Sequence, residues 1–390
     1  MGKAAQVFDE TFHSELTAWR RDIHQHPETA FQEVRTAELA ANRLASFGIA
    51  VDRGLAGTGV VGTLKRGSSS RAIALRADMD ALPMQELNRF SHRSVNDGKM
   101  HACGHDGHVT MLLGAARMLA SEGGFDGTVH FIFQPAEEGG GGGRRMVEEG
   151  LFHKFPVESV YGLHNMPGFP AGQFATRPGP VMAAADEFNI LVHGTGGHAA
   201  FPHKATDSIL AGAQLVTALQ SIVSRSTDPL DNAVVSVTMF HGGEVNNVIP
   251  DHAKLSGSVR TFKREVQDRI IADMERIASR TAEAFNTTAE LDYRRGYPPT
   301  VNTGRETEFA CAVARQISGS VIPDMPPMMG AEDFSFMLQA RPGCFMFIGN
   351  GEGEAGGCMV HNPNYDFNDA ILPIGVRYWV ELTRAALPTG

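Results

Sequence analysis

The sequence predicts an α/β domain with a mixed, largely parallel sheet flanked by helices, and a second, α+β domain inserted into it. The first observation is a set of short, almost continuously apolar segments of the kind found in buried parallel strands: 72–77, 127–134, 159–165 and 344–348. The second is that stretches of helical apolar spacing lie between these segments. The third is a change of pattern between residues 183 and 297, after which the first pattern returns. We therefore predict a discontinuous domain (1–182 and 298–390) and an inserted domain (183–297).

Outside the inserted segment, apolar residues at helical spacing predict five helices: two between 8 and 48, then 109–120, 306–317 and 368–386. One more strand, at 59–64, precedes the four buried ones. Within the inserted segment the order is strand, helix, two strands, helix and strand: 186–194, 207–223, 233–240, 253–260, 267–284 and 289–293. This order favours a sandwich of the ferredoxin-like type.

Composition excludes several classes of function. A chain of 390 residues with 42% hydrophobic content can bury a large core and is long enough for two domains. Its net charge of -10 argues against nucleic acid as a partner, because binding phosphates needs clustered Lys and Arg. No window approaches the roughly 18 apolar residues of a membrane span, and Met1–Glu15 lacks the apolar core of a signal peptide. We expect a soluble, cytoplasmic protein without a membrane partner.

The segment His101–His108 contains one thiol, three imidazoles and a carboxylate, and it leads directly into a predicted helix. A thiolate at Cys103 and a neutral imidazole at His105 can reach the same divalent ion from one loop, and such ligands suit Zn, Co, Ni or Mn. The alternative is a polar helix start with capping residues. A cap uses one or two such residues, whereas this segment has five.

Ligand-type residues also end three of the predicted buried strands. Asp78 and Asp80 follow the first, Glu137 and Glu138 follow the second, and His164 closes the third. In open α/β sheets, sites form just beyond the carboxyl ends of the strands. Adjacent acids in an extended chain point in different directions, so one of the two glutamates can hold a metal while the other faces its water. Acidic residues are also ordinary in turns, and this remains the alternative for each pair taken alone.

Taken together, these motifs resemble the dinuclear metallo-amidohydrolases and metallopeptidases related to aminoacylase, hippurate hydrolase and the plant auxin-conjugate (IAA-amino acid) hydrolases. The matching motifs extend over nearly the whole chain: 24–28, 76–83, 101–108, 134–138, 162–164, 196–200, 247–250, 330–335 and His361.

The resemblance implies two divalent metal ions per subunit, Zn, Mn, Co or Ni, with Cys103 as the bridging ligand. The remaining implied ligands are His105, Glu138, His164 and His361. Glu137 matches the family's general base, and Asp80 matches the acid that orients a ligand. Other branches carry a His at the position of Asp78 and an Asp at the position of Cys103, so a metal contact by Asp78 is left open.

The resemblance also implies that the inserted domain is a lid that forms a homodimer or a larger oligomer. His198 would stabilise the oxyanion, in its own subunit's site or in its neighbour's. Asn247, Arg260 and Gly330 would contact the substrate, with Arg260 holding its carboxylate.

The predicted function is therefore metal-dependent hydrolysis of a small N-acyl amino acid, such as hippurate, to a carboxylic acid and a free amino acid. One alternative is a dipeptidase or carboxypeptidase with the same dinuclear site. Another is a non-catalytic, metal-stabilised binding protein. Structural zinc sites usually have four Cys or His ligands and no spare carboxylate, so the adjacent Glu137 and Glu138 argue against this last reading.

Overall fold

The structure is a computed structural model that describes residues 10–390. The start of the first predicted helix and most of Met1–Glu15 lie outside the described residues. The chain divides into two compact units. The first unit comprises the described residues up to Val181, together with Val301–Pro326 and Asp333–Gly390. The second comprises Met182–Thr300 and Pro327–Glu332.

Up to residue 182 the chain contains both helices and strands. They are α1 (Glu10–Gln25), α2 (Val34–Ser46), β1 (Ala50–Leu55), β2 (Gly59–Arg66), β3 (Ala72–Asp78), α3 (His105–Glu122), β4 (Gly127–Gln134), α4 (Gly142–Glu148), α5 (Leu151–Lys154), β5 (Ser159–Pro167), β6 (Phe174–Ala175) and β7 (Gly179–Met182). The strands from β3 to β5 are each separated by one or two helices.

The following segment is richer in long strands. It contains β8 (Ala184–His193), β9 (Gly197–His198), α6 (Ser208–Ser221), β10 (Ala233–Gly242), β11 (Val248–Ile249), β12 (His252–Thr261), α7 (Arg264–Ala284), β13 (Thr288–Tyr297) and β14 (Thr300–Asn302). The last part of the chain returns to the first pattern, with α8 (Gly304–Ser318), β15 (Val321–Ile322), α9 (Phe334–Ala340), β16 (Gly343–Gly351) and α10 (Leu372–Ala386).

The main sheet of the first unit has eight strands in the order β1-β2-β4-β3-β5-β16-β6-β15. Its centre, β4-β3-β5-β16, is parallel throughout, whereas β1 and β2 pair antiparallel at one side and β6 pairs antiparallel with β16. Every residue of β3, β5 and β16 is buried, which explains why these strands are almost continuously apolar in the sequence. The prediction of a mixed, largely parallel sheet flanked by helices is confirmed.

Helix α3 is the central helix of the first unit. It packs against α1, α2 and α10, and also against β3. Nearly all of its residues from His105 to Ala116 are buried, so both the ligand-type start and the apolar body of the helix lie inside the unit. The packing therefore fixes the direction in which the first turn of α3 points.

The second unit contains a four-stranded antiparallel sheet in the order β10-β12-β8-β13. Burial alternates along β8, and its buried side chains form a core with residues of α6 and α7. Such alternation is typical of a sheet with one covered face. Asp207 caps α6, because its side chain accepts hydrogen bonds from the backbone N–H groups of Ile209 and Leu210.

Among residues 10–390, every helix is too short or too polar to cross a lipid bilayer.

Candidate metal centre

The carboxyl ends of the central strands lie side by side in the sheet. The last residues of β3 and β4, Asp78 and Gln134, are paired in register. On the other side of β3, Arg76 is paired with Gly162 of β5, so His164, two residues further along β5, lies level with Asp78. The structure therefore places the acidic loops that follow β3 and β4 at the same edge of the sheet as His164.

The loop that carries Cys103 reaches this edge at the first turn of α3. Gly104, just before the helix, has a φ of +94°, which a residue with a side chain rarely adopts. A Cβ atom at this position would lie 2.1 Å from Oδ1 of Asn165, the residue after His164. Glycine thus allows the Cys103–His105 turn to approach the end of β5 closely.

The five predicted metal ligands come together at this edge. The donor atoms of Cys103, Glu138 and His361 all lie within 4.8 Å of one another, as do those of His105, Glu137 and Glu138. Sγ of Cys103 lies 3.4 Å from Nε2 of His164. Nε2 of His361 lies 3.1 Å from Oε1 of Glu138, although His361 follows Glu138 by more than two hundred residues. Glu138 is common to two overlapping donor groups.

The surroundings of His105 are strongly negative. Its ring is fully buried, and among residues 10–390 neither ring nitrogen has a hydrogen-bond partner. Burial would lower the pKa of His105, but Asp78 and the other nearby carboxylates outweigh this effect and raise the pKa to about 10. A buried imidazole that makes only long contacts with the carboxylates around it is in the environment that a cation would occupy.

The electrostatics of His164 and Cys103 lead to the same conclusion. Nδ1–H of His164 donates to the backbone oxygen of Asn165 at 2.6 Å, which leaves the lone pair of Nε2 facing Cys103. Burial lowers the pKa of His164 well below its ordinary value. Burial, together with the charges of Glu138 and Glu137, raises the pKa of the Cys103 thiol. A divalent cation would stabilise the thiolate, so these donors fit such an ion.

Asp80 holds the two glutamates through the backbone. Its Oδ1 accepts a hydrogen bond from the N–H of Glu137 and its Oδ2 accepts one from the N–H of Glu138, both at 2.9 Å. Oδ1 also lies 3.4 Å from Nδ1 of His105. The carboxylate of Asp80 therefore contacts Glu137, Glu138 and His105.

The second unit carries the other four predicted residues. The exposed His198 pairs with Val248 in the short β9–β11 ribbon, and the N–H of Ala199 donates to the oxygen of Asn247 at 3.0 Å, so His198 and Asn247 are neighbours. This ribbon lies beyond the His193 end of β8.

Arg260 and Gly330 lie at the other end of the same sheet. Arg260 is near the end of β12, where it pairs with Ala185 of β8, and the oxygen of Gly330 accepts a hydrogen bond from the N–H of Ala183 at 2.9 Å. Arg260 lies eight residue steps along β12 from His252, which pairs with His193, and this corresponds to roughly 25 Å of extended strand. Within one chain, the structure therefore separates Arg260 and Gly330 from His198 and Asn247.

Comparison with known proteins identifies the family. Residues 74–385 match the family described as peptidase family M20/M25/M40. The chain belongs to this family. It is 41% identical to a hippurate hydrolase of Campylobacter jejuni, over 93% of this chain and 94% of that protein. It is 40% identical to an IAA-amino acid hydrolase of Arabidopsis thaliana, over 94% of this chain and 86% of that protein.

Two further relatives of this M20 chain bear on its chemistry. A thermostable carboxypeptidase of Saccharolobus solfataricus is 38% identical over 91% of each chain. A Bacillus subtilis crystal structure, described as a dinuclear metal-binding peptidase of the M20 family, has a TM-score of 0.85 and 34% identity, covering 97% of this chain and 99% of that one. The predicted resemblance is confirmed, and with it the prediction of a metal-dependent hydrolase of amide bonds. The Bacillus subtilis structure and the buried donor groups together support binding of divalent metal.

The oxygens of Asp78 are engaged by protein donors in this M20 chain. One lies 2.7 Å from Nη1 of Arg76 and the other 2.6 Å from Nδ1 of His108, whereas Nε2 of His105 is 3.7 Å away. The second nitrogen of His108 accepts a hydrogen bond from the backbone N–H of Asn165 at 3.0 Å. Asp78 is thus linked to the end of β5 through His108.

Sequence reasoning assigned no role to Arg76, His108 or Asn165. The signal for His108 was available, because it follows His105 by three residues and therefore lies on the same face of α3. Arg76 likewise shares a strand face with Asp78, two residues further on. Nothing local indicates the role of Asn165, because its partners His108 and Tyr365 are distant in the sequence.

Proposed function

We propose that this M20 chain is a metal-dependent amidohydrolase that cleaves N-acyl amino acids, such as hippurate or other acyl and aryl conjugates, to a carboxylic acid and a free amino acid. The observation that carries the proposal is the pair Glu137 and Glu138, held by Asp80 beside the buried thiol and imidazoles. Glu138 faces His361, and the carboxylate of Glu137 lies within 4.8 Å of the donor atoms of His105 and Glu138, where it can act on a bound water.

The residues of this site would hold two divalent ions, Zn, Mn, Co or Ni, and Cys103 would be the shared ligand. The other ligands are His105, Glu138, His164 and His361. Support comes from the two overlapping donor groups that share Glu138 and from the carboxylates around His105. When bound, such ions lower the pKa of water and polarise a carbonyl group.

Glu137 is the general base in this proposal. Its carboxylate takes a proton from the attacking water and delivers it to the nitrogen of the leaving amino acid, so that one group serves in both steps. Asp80 fixes the backbone of Glu137, and its contact with His105 orients that ring.

The second unit supplies the substrate contacts and the oligomer. We propose that it is a ferredoxin-like lid that forms a homodimer, and that Arg260 holds the substrate carboxylate while Asn247 and Gly330 line the site. His198 stabilises the negative charge that develops on the carbonyl oxygen. Because roughly 25 Å of strand separates the two ends of the sheet, His198 and Arg260 of one chain are too far apart for one small substrate. We therefore assign His198 to the site of the neighbouring subunit.

A carboxypeptidase or dipeptidase is the second candidate, favoured by the 38% identity to the Saccharolobus solfataricus carboxypeptidase. Release of free amino acid from N-benzoyl- and N-acetyl-amino acids, compared with release from matched dipeptides bearing a free amine, separates the two. The experiment uses metal-stripped protein to which Mn, Co, Ni or Zn is added back. We expect metal-dependent release from the acylated substrates. Faster release from dipeptides or from C-terminally free peptides would favour the second candidate.

The same preparation tests the non-catalytic alternative. We expect a chelator to abolish activity while the protein stays folded, because the first unit has a large apolar core and none of the donor residues belongs to it. A protein that unfolds on chelation and releases no amino acid from any substrate would be a metal-stabilised binding protein. The cytoplasmic location expected from the sequence stays a prediction.

A further inference from the structure

The residue before the two glutamates has an unfavourable backbone conformation. Ala136 has a φ of +54°, in the left-handed region that residues with a Cβ atom seldom adopt. Its side chain is completely buried, and it connects the end of β4 to Glu137. Such a conformation persists only where the surrounding structure enforces it, and the direction in which Glu137 and Glu138 leave the strand depends on it.

Glu33 supplies that enforcement. This fully buried residue, just before α2, accepts a hydrogen bond at Oε1 from the N–H of Ala136 at 2.9 Å. The same oxygen accepts the N–H of Phe31 at 2.9 Å, and Phe31 is also left-handed, with a φ of +61°. Oε2 accepts the hydroxyl of Thr58 at 2.6 Å. One carboxylate therefore ties two strained residues to each other and to the turn before β2.

The hydrogen bond from Ala136 to Glu33 lies next to the two hydrogen bonds that Asp80 accepts. The N–H groups of Ala136, Glu137 and Glu138 each donate to a buried carboxylate oxygen, the first from Glu33 and the other two from Asp80. Three successive amides are thus held by two side chains that are distant in sequence. The backbone oxygen of Ala136 in turn accepts the N–H of Gly142 at 3.0 Å.

The other side of Ala136 is closed by packing. A Cβ atom built at Gly140 would lie 2.6 Å from Cβ of Ala136 and 3.1 Å from the ring of Phe31. The glycine-rich turn after Glu138 therefore folds back over the two left-handed residues, and only glycine fits at position 140. Ala136 is therefore held by packing against Gly140 and by its hydrogen bond to Glu33.

We propose that Glu33 is a positioning residue for Glu137 and Glu138, which acts by holding Ala136 in its left-handed conformation. The inference rests on the proposed roles of the two glutamates. It requires an acceptor of the length of glutamate rather than a negative charge. A glutamine at this position can accept both N–H groups at its oxygen and donate its amide to the hydroxyl of Thr58.

The test measures kcat, KM, bound metal and thermal midpoint for Glu33→Ala and Glu33→Gln in the full-length protein. We expect Glu33→Ala to lower kcat by roughly ten- to a hundred-fold with little change in KM, because a small misplacement of a reacting group has effects of that size. Metal affinity should fall by roughly ten-fold or more, since Glu138 is displaced with Glu137. Glu33→Gln should stay within about three-fold of the parent in both quantities, since its hydrogen bonds are retained.

Glu28 provides a matched control in the same segment. Its carboxylate accepts the N–H groups of Arg35 and Thr36 and the hydroxyl of Thr36, all at 2.9–3.0 Å, so its removal also costs three hydrogen bonds at the start of α2. Glu28→Ala should lower the thermal midpoint and leave kcat and metal affinity unchanged. Equal losses of kcat in the Glu28 and Glu33 variants would mean that both act through general stability, and this would overturn the proposal.

The Ala136→Gly variant tests whether Glu33 acts by holding Ala136 in its left-handed conformation. Ala136→Gly removes the penalty of the left-handed conformation, so in that background the loss caused by Glu33→Ala should be smaller than in the parent. Independent, multiplicative effects would contradict the proposal. Should Glu33→Ala not fold, Glu33→Asp, whose carboxylate is one methylene shorter, replaces it with the same expectations.

Because metal affinity is measured independently of hydrolysis, failure of the role proposed for Glu33 can be distinguished from failure of the proposed function. If the parent protein binds metal but hydrolyses no acyl amino acid, the proposed function fails, while the metal affinities of the Glu33 variants still decide the role of Glu33. If the parent is active and Glu33→Ala retains its kcat and its metal, the positioning role of Glu33 fails and the proposed function stands.

Discussion

The carboxylate of Asp78 lies 2.6 Å from Nδ1 of His108, and both side chains are completely buried. The other oxygen of Asp78 accepts a hydrogen bond from Arg76, whose guanidinium also contacts Asp333 at 3.1 Å. These contacts make Asp78 the anionic partner of a buried cation, and a carboxylate oxygen of Asp78 also lies within 4.8 Å of ring nitrogens of His105, His108 and His164. We propose that Asp78, at the end of β3, supports the site through Arg76 and His108 and is not itself a metal ligand.

Replacement of Asp78 should therefore destabilise the metal-free protein. In Asp78→Ala, Arg76 loses a buried carboxylate partner and His108 loses its acceptor, so we expect a loss of about 2–4 kcal/mol in the free energy of unfolding. The measurement is denaturant unfolding of chelator-treated protein, with His108→Gln as the comparison that removes only one of the two contacts. An Asp78 variant that is destabilised only when metal is present would instead identify Asp78 as a ligand.

Glu137→Gln should separate proton transfer from metal binding. The amide keeps the size of the side chain but cannot take a proton, so kcat should fall by roughly 10²–10⁴ while both metal ions stay bound. Metal analysis of the purified variant and its kcat provide the check. A metal-free Glu137→Gln protein would reverse the roles assigned to Glu137 and Glu138.

Cys103→Ser should lower the metal affinity by more than about ten-fold, which is more than we expect from the loss of a supporting residue such as Glu33. A hydroxyl is a far poorer bridging ligand than a thiolate, and the Cys103 Sγ lies only 3.4 Å from Nε2 of His164. Competition with a chromogenic chelator measures the affinity. Cys311→Ser is the matched control, because Cys311 is also buried but lies in α8 within the apolar core. Equal metal affinity in the two variants would argue against the bridging role.

Subunit mixing tests the assignment of His198. Glu137→Gln and His198→Ala are each expected to be nearly inactive alone. If His198 serves the neighbouring subunit, a mixed dimer contains one site with both residues intact, and random pairing returns roughly a quarter of the parental activity. If His198 serves its own chain, every site in the mixture lacks one of the two residues. No recovery after verified subunit exchange would therefore place His198 in its own subunit's site.

The stability of the first unit should depend on pH through His130. Burial on β4 lowers the pKa of this histidine to about 4, whereas an unfolded chain has a value near 6.5. Between these values the unfolded state binds more protons, so stability is lost as the pH falls from about 6.5 to about 4. We expect this group to contribute about 2–3 kcal/mol to that loss. Unfolding of His130→Gln across this range should show a shallower dependence, and the exposed His153→Gln should not. Parallel curves for parent and His130→Gln would contradict the expectation.

Local sequence patterns predicted most of the elements that build the site. Burial on both faces gives a strand a short apolar run, and a helix has an apolar repeat that is visible within a few residues. These patterns predicted the strands β3, β4, β5 and β16 and the helix after His105. The edge strand β1 was missed, since it is half-exposed and has no apolar alternation. The two-residue strands β6 and β15 are too short to leave any pattern.

By itself, the sequence determined which chemistry the protein carries. The thiol, imidazoles and adjacent carboxylates stand in motifs at the ends of strands, and such motifs can be read in order along the chain. Only the tertiary structure decided which of these groups touch one another: that Glu33 supports Ala136, that Asp78 is engaged by Arg76 and His108, and that Arg260 lies far from His198. The reason is physical. Periodicity and turn chemistry act between neighbours in sequence, whereas a hydrogen bond between residues a hundred positions apart depends on how the strands are ordered in the sheet and on what is buried between them.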